Sequence, residues 1–197
     1  MQVEWLNITM EEYKSLRSEC INSINAQQYT LNVGIAAISA LMVSAVHLWE
    51  QVIVSQIIFL VCIPLVSYLI LLVWVGEIVR MMRAGYFIAK IENKINKHLK
   101  MENVLSWENW LRSEDYKKTH PKNINYYAII ILFILLSFLS IVTGNIRLYN
   151  MKIYYLIIIA VSLIEIVFIC LFLKLIYKLM NGVDFKSPLE EDKLYNK

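Results

Sequence analysis

The amino-acid sequence predicts an all-α membrane protein: four transmembrane helices arranged as two hairpins, with a cytoplasmic helical extension between helices 2 and 3. Three observations predict it. More than half of the 197 residues are hydrophobic, and they fall in blocks. Each block is near the ~20 residues an α-helix needs to cross a hydrocarbon core. The Lys and Arg residues lie overwhelmingly in three of the five segments outside these blocks.

Residues 1–30 are expected to form a cytoplasmic helix leading into the first span. Thr9-Met10-Glu11-Glu12 fits a capping box, with Thr9 as N-cap and Glu12 at the third helical position. No Pro or Gly then interrupts the chain before Gly34. The opening Met1-Gln2-Val3-Glu4-Trp5 has no basic region with an apolar run behind it, so the first span is expected to act as its own insertion signal.

Residues 31–76 form the first hairpin, with spans at Leu31–Trp49 and Val52–Val75 and a tight connection at Glu50-Gln51. Pro64 deletes one backbone donor from span 2 and predicts a kink there. Residues 77–124 form the cytoplasmic loop. Span 2 is expected to continue through Glu77 into a basic helix ending near Lys100, with Gly85 a candidate bend. Ile88, Ile91, Ile95 and Leu99 share one face at spacings of three and four, and Lys90, Lys94, Lys97 and Lys100 lie largely off it. A short helix is expected after Ser106, and Pro121 breaks the chain before span 3. Residues 125–180 form the second hairpin, with spans at Asn125–Ile146 and Ile153–Met180, and residues 181–197 a cytoplasmic tail.

Charge sets the orientation. Two Lys/Arg precede span 1, ten lie between Arg80 and Lys122, and five between Lys174 and Lys197, against only Arg147 and Lys152 in the other two connections. The positive-inside rule then places both termini and the central loop in the cytoplasm, a multi-pass layout. Trp49, Tyr149, Tyr154 and Tyr155 mark the outer interface, and Trp74, Tyr126, Tyr127 and Tyr177 the inner one. The outer connections are too short for a receptor domain.

The residue inventory argues against catalysis. No nucleophile–base arrangement, Gly-rich phosphate loop or metal-ligand spacing is present, and His47, His98 and His120 are scattered. No cofactor and no metal is expected. Cys20, Cys62 and Cys170 have no ligand spacing and sit where a disulfide framework is not expected.

The candidate residues each carry two readings. Glu165, near the middle of span 4, would cost roughly 2.5–3.5 kcal/mol in lipid. It is therefore expected to face the bundle or water, as an ion-pathway residue or as a protonated hydrogen-bond donor between helices. Ser39, Ser67, Ser137 and Ser162 fall within about two turns of its depth. They form a polar layer along a pore or simply permit close packing. Glu77, Arg80 and Arg83 at the inner end of span 2 are interface anchors or an inner-mouth charge ring. The Ile88, Ile91, Ile95, Leu99 face suits oligomer packing first and lipid second; Glu92 and Asn93 among the lysines weaken a nucleic-acid reading. Trp107 and Trp110 suit a membrane interface, a partner contact or packing on the long helix.

Three short motifs carry a resemblance. They are Glu12-Tyr13-Lys14-Ser15-Leu16-Arg17-Ser18-Glu19 with Gln27-Gln28; Arg80 with Arg83-Ala84-Gly85-Tyr86-Phe87-Ile88-Ala89-Lys90-Ile91-Glu92; and Trp107-Glu108-Asn109-Trp110-Leu111. Over the first three fifths of the chain they resemble bacterial four-span membrane effectors of anti-phage defence, of the CBASS-like, Kiwa-like and Hailong-like kinds. The resemblance implies an oligomeric channel that disrupts the inner membrane and is paired with a cytoplasmic sensor protein. Four helices in one subunit can fill their own centre, so a pore is expected to need several copies around an axis, a homo-oligomer with a tetramer favoured. No sensor or nucleotide-binding domain is recognisable in this chain. The alternatives are a non-conducting membrane anchor that recruits a cytoplasmic partner, and a small transporter. Against the transporter stands the lack of a repeat between the hairpins.

Reporter fusions after Lys100 and after Lys197 are expected to read cytoplasmic, and one near Asn150 periplasmic. A periplasmic signal at Lys100 overturns the layout.

Overall fold

The computed structural model describes residues 2–101, 104–111 and 124–149, together with 163–164, 166–167, 169–174 and 177. Its elements are all helical. Helix α1 runs Gln2–His47; α2 runs Val52–Leu99 with a π-helical turn at Ile58–Cys62; α3 is Trp107–Leu111; and α4 is Ile124–Tyr149. Three of these, α1, α2 and α4, are long and apolar enough to cross a membrane. The expected fourth span lies largely outside the described residues, although those described between 163 and 177 are helical. The expected connection at 147–152 is helical as far as Tyr149.

The chain divides into two compact units. One comprises Met1–Gln27, Gly76–Asn123 and Leu179–Lys197; the other comprises Gln28–Val75 and Ile124–Lys178.

In the first unit, α1 turns one face inward: Thr9, Tyr13, Leu16, Cys20, Ser23 and Gln27, at alternating steps of four and three. That spacing keeps a helix face against a neighbouring helix. Cys20 packs with Ala84 and Ile88 of α2, surrounded by Tyr13, Leu16 and Met81. The interface is unusually polar, and its polar groups are matched. Arg80 donates from Nε to Ser23 Oγ at 2.9 Å, and the Cys20 thiol lies 3.8 Å from the Met81 carbonyl.

The expected cap at Thr9 is corrected here. Helix α1 already begins at Gln2, and the Thr9 hydroxyl donates to the Trp5 carbonyl 2.9 Å away, one turn back. A buried Thr inside a helix satisfies its hydroxyl this way, so the Thr-x-x-Glu spacing marks no helix start. At the candidate bend, Gly85, α2 continues as helix.

In the second unit, Pro64 does more than remove a donor. The Ile63 N–H bonds back to the Ile58 carbonyl, five residues away, which is the π spacing. At that spacing the next carbonyl, Phe59, would take its proton from residue 64, and a proline has none. The hydroxyl of Ser140 on α4 donates to the Phe59 carbonyl instead. One turn further on, a Cβ on Gly144 would stand 2.7 Å from Leu60 Cδ2, so α4 needs a glycine to lie against the π turn. Ser137, Ser140 and Gly144 thus form a small-residue seam on α4. Elsewhere in this unit Gly34 of α1 meets Ile70, where an added Cβ would come within 2.7 Å of its side chain. Tyr68 stacks on Phe172 at 5.4 Å, and Trp74 on Tyr126 at 5.7 Å.

Ser140→Ala is expected to cost about 1–2 kcal/mol in micelle unfolding, the range for hydrogen bonds between membrane helices. In a Pro64→Ala background, where a backbone donor returns, the same change is expected to cost less than half as much. Equal costs in the two backgrounds overturn this account of the π turn.

Candidate functional site

The first unit gathers its polar groups around Glu92 of α2, which is fully buried. The carboxylate accepts from the Glu108 and Asn109 peptide N–H groups, both at 3.2 Å, and from Asn109 Nδ2 at 3.1 Å. Those two N–H groups are orphan donors at the start of α3. Glu92 therefore does from a distant helix what an N-cap side chain does locally. Asn96, one turn along α2, holds the preceding loop in a two-way clamp. Its Nδ2 donates to the Leu105 carbonyl at 2.7 Å, and its Oδ1 accepts from the Leu105 N–H at 3.1 Å. Arg17 of α1 closes the group, donating to Glu108 at 3.3 Å.

Above Glu92 is a cleft of about 390 Å³, lined by Tyr13, Glu92, Val104, Leu105, Ser106, Trp107 and Trp110. The Tyr13 phenol is held above its ordinary pKa of 10.0, first by burial and then by Glu92, with Glu108 adding to the rise and Arg17 opposing it.

In the second unit the decisive contrast lies on the outward faces. The exposed described positions of α2 up to Val75 are apolar: Ile53, Val54, Ile57, Val61, Leu65, Leu69 and Val73. Those of α4 are Tyr127, Ala128, Ile131, Leu132, Leu135, Phe138, Leu139 and Ile146. Helix α1 differs. Gln28, Asn32, Ala36, Ser39, Val43 and His47, at spacings of three and four, form one exposed stripe opposite the packed face of Gly34, Ile38 and Ala45. The side chains of Asn32 and Ser39 have no hydrogen-bond partner among the described residues.

The sequence candidates sort accordingly. Ser39 lies on the outward stripe. Ser67 and Ser137 are fully buried, the first bonded to the Ile63 carbonyl at 2.8 Å and the second to the Tyr68 hydroxyl at 3.0 Å. Ser162 and Glu165 lie outside the described residues. Glu77 and Arg80 pair on one helix at 3.0 Å, with Glu19 4.0 Å from Arg80, and Arg83 is exposed. Ile88, Ile91 and Ile95 are buried within the first unit, whereas Leu99, Trp107 and Trp110 are exposed. A charge placed at Ile91 or Ile95 would disturb the folding of this unit before it reported on assembly.

No protein-family model matches the chain, and neither does any curated protein or solved structure.

Glu92→Leu strips the acceptor from two peptide N–H groups and is expected to cost about 2–6 kcal/mol, at ~1–3 for each orphaned donor. Amide hydrogen exchange across residues 104–111 should rise in that variant; unchanged protection overturns the capping role. Tyr13 carries a pH signature. The folded unit keeps the phenol proton past pH 10.0, where the unfolded chain releases it. Stability is therefore full below that pH and falls as pH rises through it. Tyr13→Phe is expected to flatten this alkaline slope in thermal melts.

Proposed function

We propose that this chain is a four-span membrane protein that assembles with copies of itself into a channel- or pore-forming effector of a bacterial inner membrane, with α1 lining the aqueous path. The outward stripe of α1 carries the reading. An Asn side chain turned to acyl chains loses its water hydrogen bonds and gains nothing, so Asn32 and Ser39 call for water or another copy opposite them. Closed rotational symmetry brings the α1 stripes of several copies to one axis and leaves the apolar outer faces of α2 and α4 to lipid. The hydroxyls of Ser67 and Ser137 are consumed inside the chain, which favours a path between copies over one through a single chain. We take a tetramer as the working assembly. The apolar run at 153–180 supplies the fourth span, and the excess of Lys and Arg in 77–124 supports a cytoplasmic side for that segment.

A second reading, a non-conducting anchor that recruits a cytoplasmic partner, is favoured by one observation. Trp107 and Trp110 are exposed beside the Glu92 cleft. The two readings are compatible if the recruited partner gates the pore.

The test places single cysteines in a variant lacking Cys20, Cys62 and Cys170. In liposomes, Asn32→Cys and Ser39→Cys are expected to react with a membrane-impermeant cationic thiol reagent and to lose flux on modification, by at least tenfold. Leu65→Cys and Leu132→Cys, on lipid-facing helices, are expected to be inert. Equal reactivity at all four positions, or no flux from the unmodified protein, overturns the pore.

A further inference from the structure

The cleft of the first unit is walled by two half-exposed tryptophans. Trp107 and Trp110 are 53% and 49% exposed, yet they lean on each other with ring centroids 5.5 Å apart. Half-exposed rings on a five-residue helix add little to a core. They do present π faces, whose negative quadrupole attracts cations. Tyr13 supplies a third ring across the cleft, with Val104 at the rim.

The charges near these rings are two carboxylates, Glu92 and Glu108, against one guanidinium, Arg17. Glu92 is wholly buried, and its three hydrogen-bond donors are neutral amides. Among the described residues no cation is paired with it, and the nearby Arg17 is engaged with Glu108. Burial is the main cause that raises the Tyr13 phenol's pKa; Glu92 comes next and outweighs the opposing Arg17, and Glu108 adds to the rise. A buried carboxylate under aromatic walls attracts a positively charged guest and repels an anion. The ~390 Å³ of this open cleft suits a small charged group with its stem, within the range of ligand pockets.

We propose that this cleft binds an organic cation, a guanidinium or alkylammonium group held against Trp107, Trp110 and Tyr13 over the Glu92 carboxylate. The site stands whether or not the protein conducts. Its ligand is either a basic side chain of a partner protein or a free polyamine, both of which offer the same chemistry.

Calorimetry on the full chain in lipid nanodiscs tests it, with N-acetyl-arginine amide as the probe and its uncharged analogue N-acetyl-citrulline amide as control. The arginine probe is expected to bind at least tenfold more tightly, and more weakly as salt rises. Trp107→Ala is expected to weaken it at least tenfold. Val104→Arg tethers a guanidinium at the rim of the cleft and is expected to abolish binding of the free probe while keeping the wild-type melting temperature. This variant decides the matter if Trp107→Ala fails to fold. Spermidine and an arginine-bearing peptide, run as further arms, separate the two sources: whichever binds more tightly identifies the class. Equal binding of the citrulline control overturns the proposal. So does wild-type affinity in a folded Val104→Arg protein, or no binding of arginine probe, peptide or spermidine.

Discussion

A buried peptide group must find a hydrogen-bond partner, and at two places in this protein the local backbone cannot provide it. At the start of α3 the N–H groups of Glu108 and Asn109 have no carbonyl behind them, and Glu92 reaches across from α2 to accept both. At the π turn the Phe59 carbonyl faces a proline where its donor would be, and Ser140 reaches across from α4 to donate. Each rescue also fixes tertiary structure. Glu92 pins the loop before α3 to α2, and Ser140 sets the register of α4 on α2. Leaving a donor or acceptor unmet costs roughly 1–3 kcal/mol where water cannot reach, so these two side chains help decide which elements can pack together.

Much of the helical layout was legible in the sequence. Apolar runs of membrane length, a long polar-to-apolar helix with no Pro and no Gly before Gly34, and the continuation of span 2 to the neighbourhood of Lys100 all follow from periodicity and from the scarcity of breakers. The short helix after Ser106 was legible for the same reason. The rescuing contacts were not. Glu92 reads as one charge among the lysines of an amphipathic helix, and nothing local says that it is buried or that it caps a helix sixteen residues away. Pro64 announced a lost donor, but the identity of the replacement depends on which residue of α4 lies opposite. Thr9 misled because the capping-box spacing recurs inside helices, where the same hydroxyl bonds to the preceding turn.

The two faces of α1 show why periodicity alone gives an incomplete account of a membrane helix. Its packed face carries small and polar residues such as Ser23, Gln27 and Gly34, and its outward face in the second unit carries Asn32 and Ser39. A hydrophobicity average blends the two into one apolar span. Only burial separates them, and it assigns opposite jobs to residues of similar chemistry: Ser67 and Ser137 close bonds within the chain, whereas Ser39 is left for whatever lies beyond it. Depth in the membrane, the criterion that grouped these serines, says nothing about direction around the helix axis.

The π turn has a consequence for how this chain can tolerate changes in length. A π turn is an α-helix carrying one surplus residue. Elsewhere in α2 ahead of Arg80, removing a residue rotates everything downstream by about 100°, which would swing Arg80 and Ile88 off Ser23 and Cys20 of α1 together. Within Ile58–Cys62, losing one residue converts the π turn to a regular one and leaves both flanking faces where they were. The segment is thus the place in α2 where a codon can be lost without scrambling the helix.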